Sequence, residues 1–436
     1  MAHVPHPFAS PARTRLTVIR ANIFTATGDK PFYGAVLLAG DRIAAVGAAD
    51  EIGHPDGARL IDAPGRTLIP GLIDAHVHLA YSGAPTKAAF RNEHAELSYP
   101  AIALRAAGYA RATLDHGITA VRDMHAPGGV VIDLRDAIEA GQVDGPRIKA
   151  CGRGLTVTGG HMDQPGWGDQ THFEGLTQPC DGPDGFRHGV RLEVKRGADF
   201  IKLNTCGPAY GGPGAWCRLE MAADEIEAAC DEAHRWGLHV ASHTTGEVPL
   251  AETIRRGVDC VEHAHFTDDA VIALMAERGT VLVPTLLVNE RNFELDPAAQ
   301  GVPPRHWRWL EASRDAKWET LERAKEAGIR IACGTDAGFQ VAHGSMFWRE
   351  LAYLVKGGLT PAEAVTAATA TNADLLGIEA GRLVVGRLAD LVLVDGDPLA
   401  DISILGDPGR LTVFKGGRQI RSGGGGHDIC LDHMHG

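Results

Sequence analysis

Residues 68–78 read LIPGLIDAHVH, an apolar run closing on two histidines, His76 and His78, at positions i and i+2. The run is short, rich in Leu, Ile and Val and bounded by glycine, the pattern of a strand buried on both faces. Seven more runs of this kind follow: GITAVRDM from Gly117, RIKACGRGL from Arg147, FIKLNTCG from Phe200, LHVASHTT from Leu238, DCVEHAHF from Asp259, TVLVPTLLV from Thr280 and IRIACGTDAG from Ile329. Helix-like stretches such as 222–236 and 307–327 lie between them. Eight strand–helix units in series predict an α/β fold, a (β/α)₈ TIM barrel over residues 68–380.

The two ends read differently. LTVIRANIF, GAVLLAGDRIAAVG and ARLIDAPGRTLIP before the barrel, and GRLVVGRLADLVLVDGD and LTVFKGGRQI after it, are strands joined by Gly and Asp turns. Residues 1–67 and 381–422 are therefore expected to pair into one small discontinuous β-sandwich. The Gly/His-rich stretch 423–436 reads as a flexible tail, with His427, His433 and His435 open to stray metal.

Composition narrows the function classes. The 436 residues are 44% hydrophobic and 22% charged, ordinary for a globular protein. Lys+Arg 42 against Asp+Glu 55 gives a net charge of −13, which argues against nucleic acid as a partner. No run approaches the ~20 apolar residues of a membrane span, and the N-terminal stretch lacks a signal-peptide pattern. The eight cysteines form no CxxC pair, as expected of reduced thiols in a cytoplasmic enzyme.

The polar residues that end the strands carry the chemistry. Period-two geometry sends His76 and His78 to one face, into the barrel mouth. Lys202 sits inside the fourth strand, where an isolated cation is costly. Either a carboxylate pairs with it, or burial leaves a neutral amine able to take up CO₂ as a bridging carbamate. His243 ends the fifth strand and His263 the sixth. Each alone reads more readily as a hydrogen-bonded core histidine than as a ligand; two on adjacent strands facing an HxH pair reverse that reading and become ligands for a zinc-like ion. Asp336 ends the eighth strand, as metal ligand and proton acceptor or as the cap of the following helix. Six such donors suit two divalent metal ions, most simply zinc, which can hold a hydroxide between them and polarise a carbonyl.

The segments PGLIDAHVH (70–78), GITAVRD (117–123), GPRI (145–148), TGGH (158–161), IKLN, ASH, EHA (262–264), GTDAG (334–338) and VVGRLADLVLVDGDP (384–398) resemble the amidohydrolase superfamily over most of the chain. The resemblance implies that His76 and His78 hold one metal and His243 and His263 the other. It further implies that Lys202, N6-carboxylated, bridges them and that Asp336 is ligand and general base. Lys202 and TGGH make the chain similar to the binuclear branch of Xaa-Pro and Xaa-Arg carboxypeptidases and ochratoxin-type amidases.

In that branch His161 would stabilise the oxyanion, or it orders its Gly-rich loop. Tyr210 either donates to the scissile carbonyl or packs on the loop after Lys202. Trp167 and Trp216 read as an aromatic wall or as loop packing, and Arg122 as structural. The stretch 289–314, with Trp307 and Trp309, reads as a lid or an oligomer contact. Arg218 and Arg291 are candidates for a substrate carboxylate.

The expectation is a homo-oligomeric amidohydrolase splitting a small-molecule carboxamide (an N-acyl amino acid, dipeptide or ochratoxin-like aryl amide) by a metal-bridging hydroxide. Its rivals are a hydrolase of carbamate, urea or imide bonds and a non-catalytic scaffold of the same fold.

Overall fold

The structure, a computed structural model, describes residues 15–163, 177–207, 217–300 and 304–423. Trp167, Tyr210, Trp216 and the three tail histidines lie outside the described residues.

Strands from both chain ends meet in one separate seven-stranded sheet. Its order is Arg418–Arg421, Leu411–Lys415, Leu391–Val394, Arg59–Pro70, Leu16–Ile23, Phe32–Ala39, Arg42–Gly47. The join is antiparallel, Leu391 opposite Pro70 and Val394 opposite Thr67. Alternation explains the two faces: Ile19, Ala21 and Ile23 enter a core with Leu391, Leu393 and Phe414, while Val18 faces a smaller cluster with Ala35.

The remaining strands are parallel. Leu72–Val77 pairs with Ile118–Asp123, which pairs with Arg147–Ala150. A second run begins with Thr177–Pro179 beside Gly154–Thr156 and continues through Ile201–Asn204, Val240–Thr244, Cys260–His263 and Val281–Val283. Helices fill the connections. In Ala223–Arg235 the residues Ile226, Ala229, Cys230 and Ala233 recur at helical spacing and pack with Leu203, Val240 and Ile254.

The eighth run is not a regular strand. It pairs with its neighbours through two isolated bridges, Ile331 to Leu282 and Ala337 to Val77, and through separate backbone bonds such as Asp336 N to His76 O at 2.8 Å and Ala332 N to Leu282 O at 2.8 Å, an arrangement compatible with a barrel. The physical reason lies in its amides: Thr335 N donates to Asp74 Oδ1 at 3.0 Å and Cys333 N to Asn372 Oδ1 at 3.1 Å. Side chains thus take two of the amides that a regular ladder would use, and the backbone turns left-handed at Asp336, whose own amide still donates to His76 O at 2.8 Å.

Candidate metal centre

His76 and His78 both emerge buried from the end of Leu72–Val77. Their Nε2 atoms lie 3.4 and 3.1 Å from Asp336 Oδ1. Five imidazoles continue in a row: His78 to His76 at 5.3 Å between ring centres, His76 to His263 at 5.1 Å, His263 to His243 at 4.7 Å and His243 to His161 at 4.0 Å. Ligand atoms of His76, His263 and Asp336 all fall within 4.8 Å of one another, a grouping that crosses the two pairs implied by resemblance.

Lys202 is 1% exposed, and its Nζ has no hydrogen-bond or ion-pair partner among the described residues. The ion-pair alternative therefore has no geometry behind it. Burial, reinforced by the Arg122 charge, pushes its amine below the ordinary lysine range, although Glu262 pulls the other way. Burial likewise lowers His76 to about 4, so its imidazole is neutral at pH 7 with a lone pair to give. Burial works against the Asp336 carboxylate too, but His76 and His78 outweigh it and hold the carboxyl at about 2. Neutral imidazoles, a partnerless amine and an ionised carboxylate in one buried place are the donor set that divalent ions require.

Backbone strain builds the site. Asp336, His263, Ala264 and Thr285 all have positive φ, at 60°, 70°, 48° and 47°. Each costs about 1–3 kcal/mol, which the surrounding packing must offset. In a regular strand the neighbours Glu262 and His263 would face opposite sides. The left-handed turn at His263 breaks that alternation, and both side chains reach His76. Gly334 serves the same end, because a Cβ there would sit 2.7 Å from His76 Cβ and 2.6 Å from Val283 Cγ1.

Sequence reasoning missed Glu262. Its Oε2 accepts from His76 Nδ1 at 2.7 Å, and its Oε1 accepts from Arg122 Nη2 at 2.6 Å. Arg122 also donates through Nε to Ala75 O at 2.7 Å, so the residue read as structural is the clamp that aims the carboxylate. The signal was present in VEH: a carboxylate within an apolar strand is as costly as the lysine and needs a partner. Replacing Glu262 with glutamine should weaken metal binding about 10–100-fold, measured by competition with a chelator of known affinity.

The other candidates divide. His161 stacks on His243, and its backbone N–H donates to Glu220 Oε2 at 3.0 Å. Arg291 is engaged by Glu294 at 2.7 Å, while Arg218 is exposed. Trp307 packs with Phe293, Phe266, Cys217 and Leu310, which seats the helix Pro304–Glu326 on the chain's own loops. The seven described cysteines are free thiols, and no described helix is long and apolar enough to cross a membrane.

Comparison with known proteins bears on this centre. A model described as "Amidohydrolase family" matches residues 67–420. Ochratoxinase of Aspergillus niger is 29% identical over 96% of this chain and 90% of its own length. Among solved structures, a Xaa-Pro dipeptidase with methionine bound in its active site is 31% identical with a TM-score of 0.85, covering 93% of this chain and 100% of that one. A prolidase complexed with N-methylphosphonate-L-proline is 30% identical with a TM-score of 0.82, covering 93% and 99%.

Proposed function

We propose, from the premise that this chain belongs to the amidohydrolase family and is a hydrolase acting on C–N bonds, that it is a two-metal carboxamidase for N-acyl amino acids, dipeptides or ochratoxin-like aryl amides. The observation that carries the two-metal reading is Lys202, a buried amine without a partner. A neutral amine so placed can add CO₂ with release of one proton, and the resulting carbamate would offer two oxygens sharing one negative charge as metal ligands.

In this reading His76, His78 and Asp336 would hold one divalent ion, His243 and His263 would hold a second, and a carboxylated Lys202 would serve both. Such ions, zinc or a close relative, polarise a carbonyl and bring a water to a near-neutral pKa. The chain's own residues do the rest. The ionised Asp336 accepts the proton of the attacking water and returns it to the leaving amine. His161 stands beside His243, from where its ring N–H would donate to the carbonyl oxygen as negative charge develops there. Tyr210 is a second candidate donor there. The Arg122–Glu262 clamp fixes the His76 tautomer, leaving Nε2 for the ion.

Exhaustive chelation should abolish hydrolysis, and adding zinc, manganese or cobalt should restore it, with two ions per chain by elemental analysis. A library of dipeptides and N-acyl amino acids assayed on the reloaded protein identifies the substrate class. Absence of bound metal together with inactivity after loading would remove the enzyme reading.

A further inference from the structure

Two histidines of the centre are backed by groups of opposite charge. On one side the outer nitrogen of His76 meets the Glu262 carboxylate. On the other, His263 Nδ1 meets among the described residues a hydroxyl, Thr285 Oγ1, at 2.7 Å. Behind that hydroxyl lies Lys317, 2% exposed, its Nζ donating to Thr285 O at 2.9 Å and lying 3.5 Å from Thr285 Oγ1. Lys317 belongs to Pro304–Glu326, the helix inserted after the seventh strand. Facing it from Phe347–Lys356 is Glu350, whose carboxyl oxygens accept from the amides of Leu286 and Leu287 at 2.9 and 2.7 Å. Burial raises this carboxyl to about 8, disfavouring the charge that would offset Lys317, while burial lowers the Lys317 amine and Glu350 pulls it back up. Thr285 is fully buried with φ 47°, so the contact is held in a strained turn.

An imidazole that donates to a carboxylate becomes more basic and a stronger metal ligand. One that donates to a hydroxyl beside an ammonium gains no such basicity, and the nearby positive charge opposes a dication in a low-dielectric interior.

We propose that Lys317, acting through Thr285, is a positioning residue that makes the His243/His263 half of the centre the weaker, exchangeable metal position. The inference rests on the two-metal reading above. The insertion helix thereby reaches the chemistry through one side chain, although none of its residues is among the six candidate ligands.

The test is stepwise release of metal from the fully loaded protein. Holoprotein prepared with zinc is equilibrated against a graded series of zinc-buffered chelator, and ions per chain are counted by elemental analysis. Wild type should lose one ion about 10–100-fold more readily than the other. Lys317→Met should tighten the readily lost ion at least about tenfold, and Glu262→Gln should loosen the retained one instead. Lys317→Gln, which keeps a donor for Thr285 O while removing the charge, should match Lys317→Met. It serves in its place if the methionine variant does not fold. Release of both wild-type ions in a single step, or a Lys317→Gln chain whose weaker ion is unchanged or looser, overturns the inference and leaves the two-metal reading standing. A wild-type chain that never holds a second ion removes both.

Discussion

Lys202→Ala should leave fewer than two ions per chain and lower hydrolysis by at least about a hundredfold. That bound is the usual cost of losing even a group one step removed from the metal, and Lys202 is proposed as a direct ligand. The substitution removes a side chain with no partner among the described residues, so no hydrogen bond or ion pair is broken and the fold should survive. Circular dichroism and the thermal transition provide that control. If the lysine acts as a carbamate, a small acid should occupy the vacated space and replace its two oxygens. Acetate or propionate should then restore part of the activity and the second ion. Lys202→Met should show the same loss without so large a void. Two ions and full activity in Lys202→Ala without added carboxylate would eliminate the carbamate.

Asp336→Asn should be the second severe lesion. The amide preserves shape, yet it removes the negative charge and the proton acceptor together. A positioned general base contributes about 10²–10⁴-fold, so kcat should fall by that factor with KM little changed. The wild-type carboxyl is held at about 2. Its role as base is therefore available throughout the neutral range, and the asparagine chain cannot recover by raising the pH. Elemental analysis separates the two losses: retention of both ions with collapsed kcat assigns the effect to the proton, while loss of one ion assigns it to ligation. Wild-type kcat in Asp336→Asn would remove the residue from the mechanism.

Much of this architecture was legible in the chain. Apolar runs that end in His, Lys or Asp have a direct physical reading, because buried strands tolerate such groups only where something pairs with them. The end strands, lacking helices between them, were legible as a separate β unit by the same period-two pattern. Their seven-stranded order was not, since the join of Leu391–Val394 to Arg59–Pro70 links segments more than 300 residues apart. The ion pair weighed for Lys202 also needed coordinates to decide, because partners on other strands do not show in local spacing.

What the sequence by itself determined is the set of candidate donors and the faces expected of them: His76 and His78 share one face because side chains two apart on a strand must. What only the tertiary structure decided is how those donors are aimed. Glu262 and His263 are neighbours that periodicity sends to opposite faces, and the left-handed turn at His263 brings both to His76. The eighth segment is held by Asp74 and Asn372, which take the amides of Thr335 and Cys333, and it turns left-handed at Asp336. Arg122, read as scaffolding, orients the carboxylate that orients a ligand. Periodicity fixes which side chains can meet; strained backbone and distant hydrogen-bond partners fix which ones do.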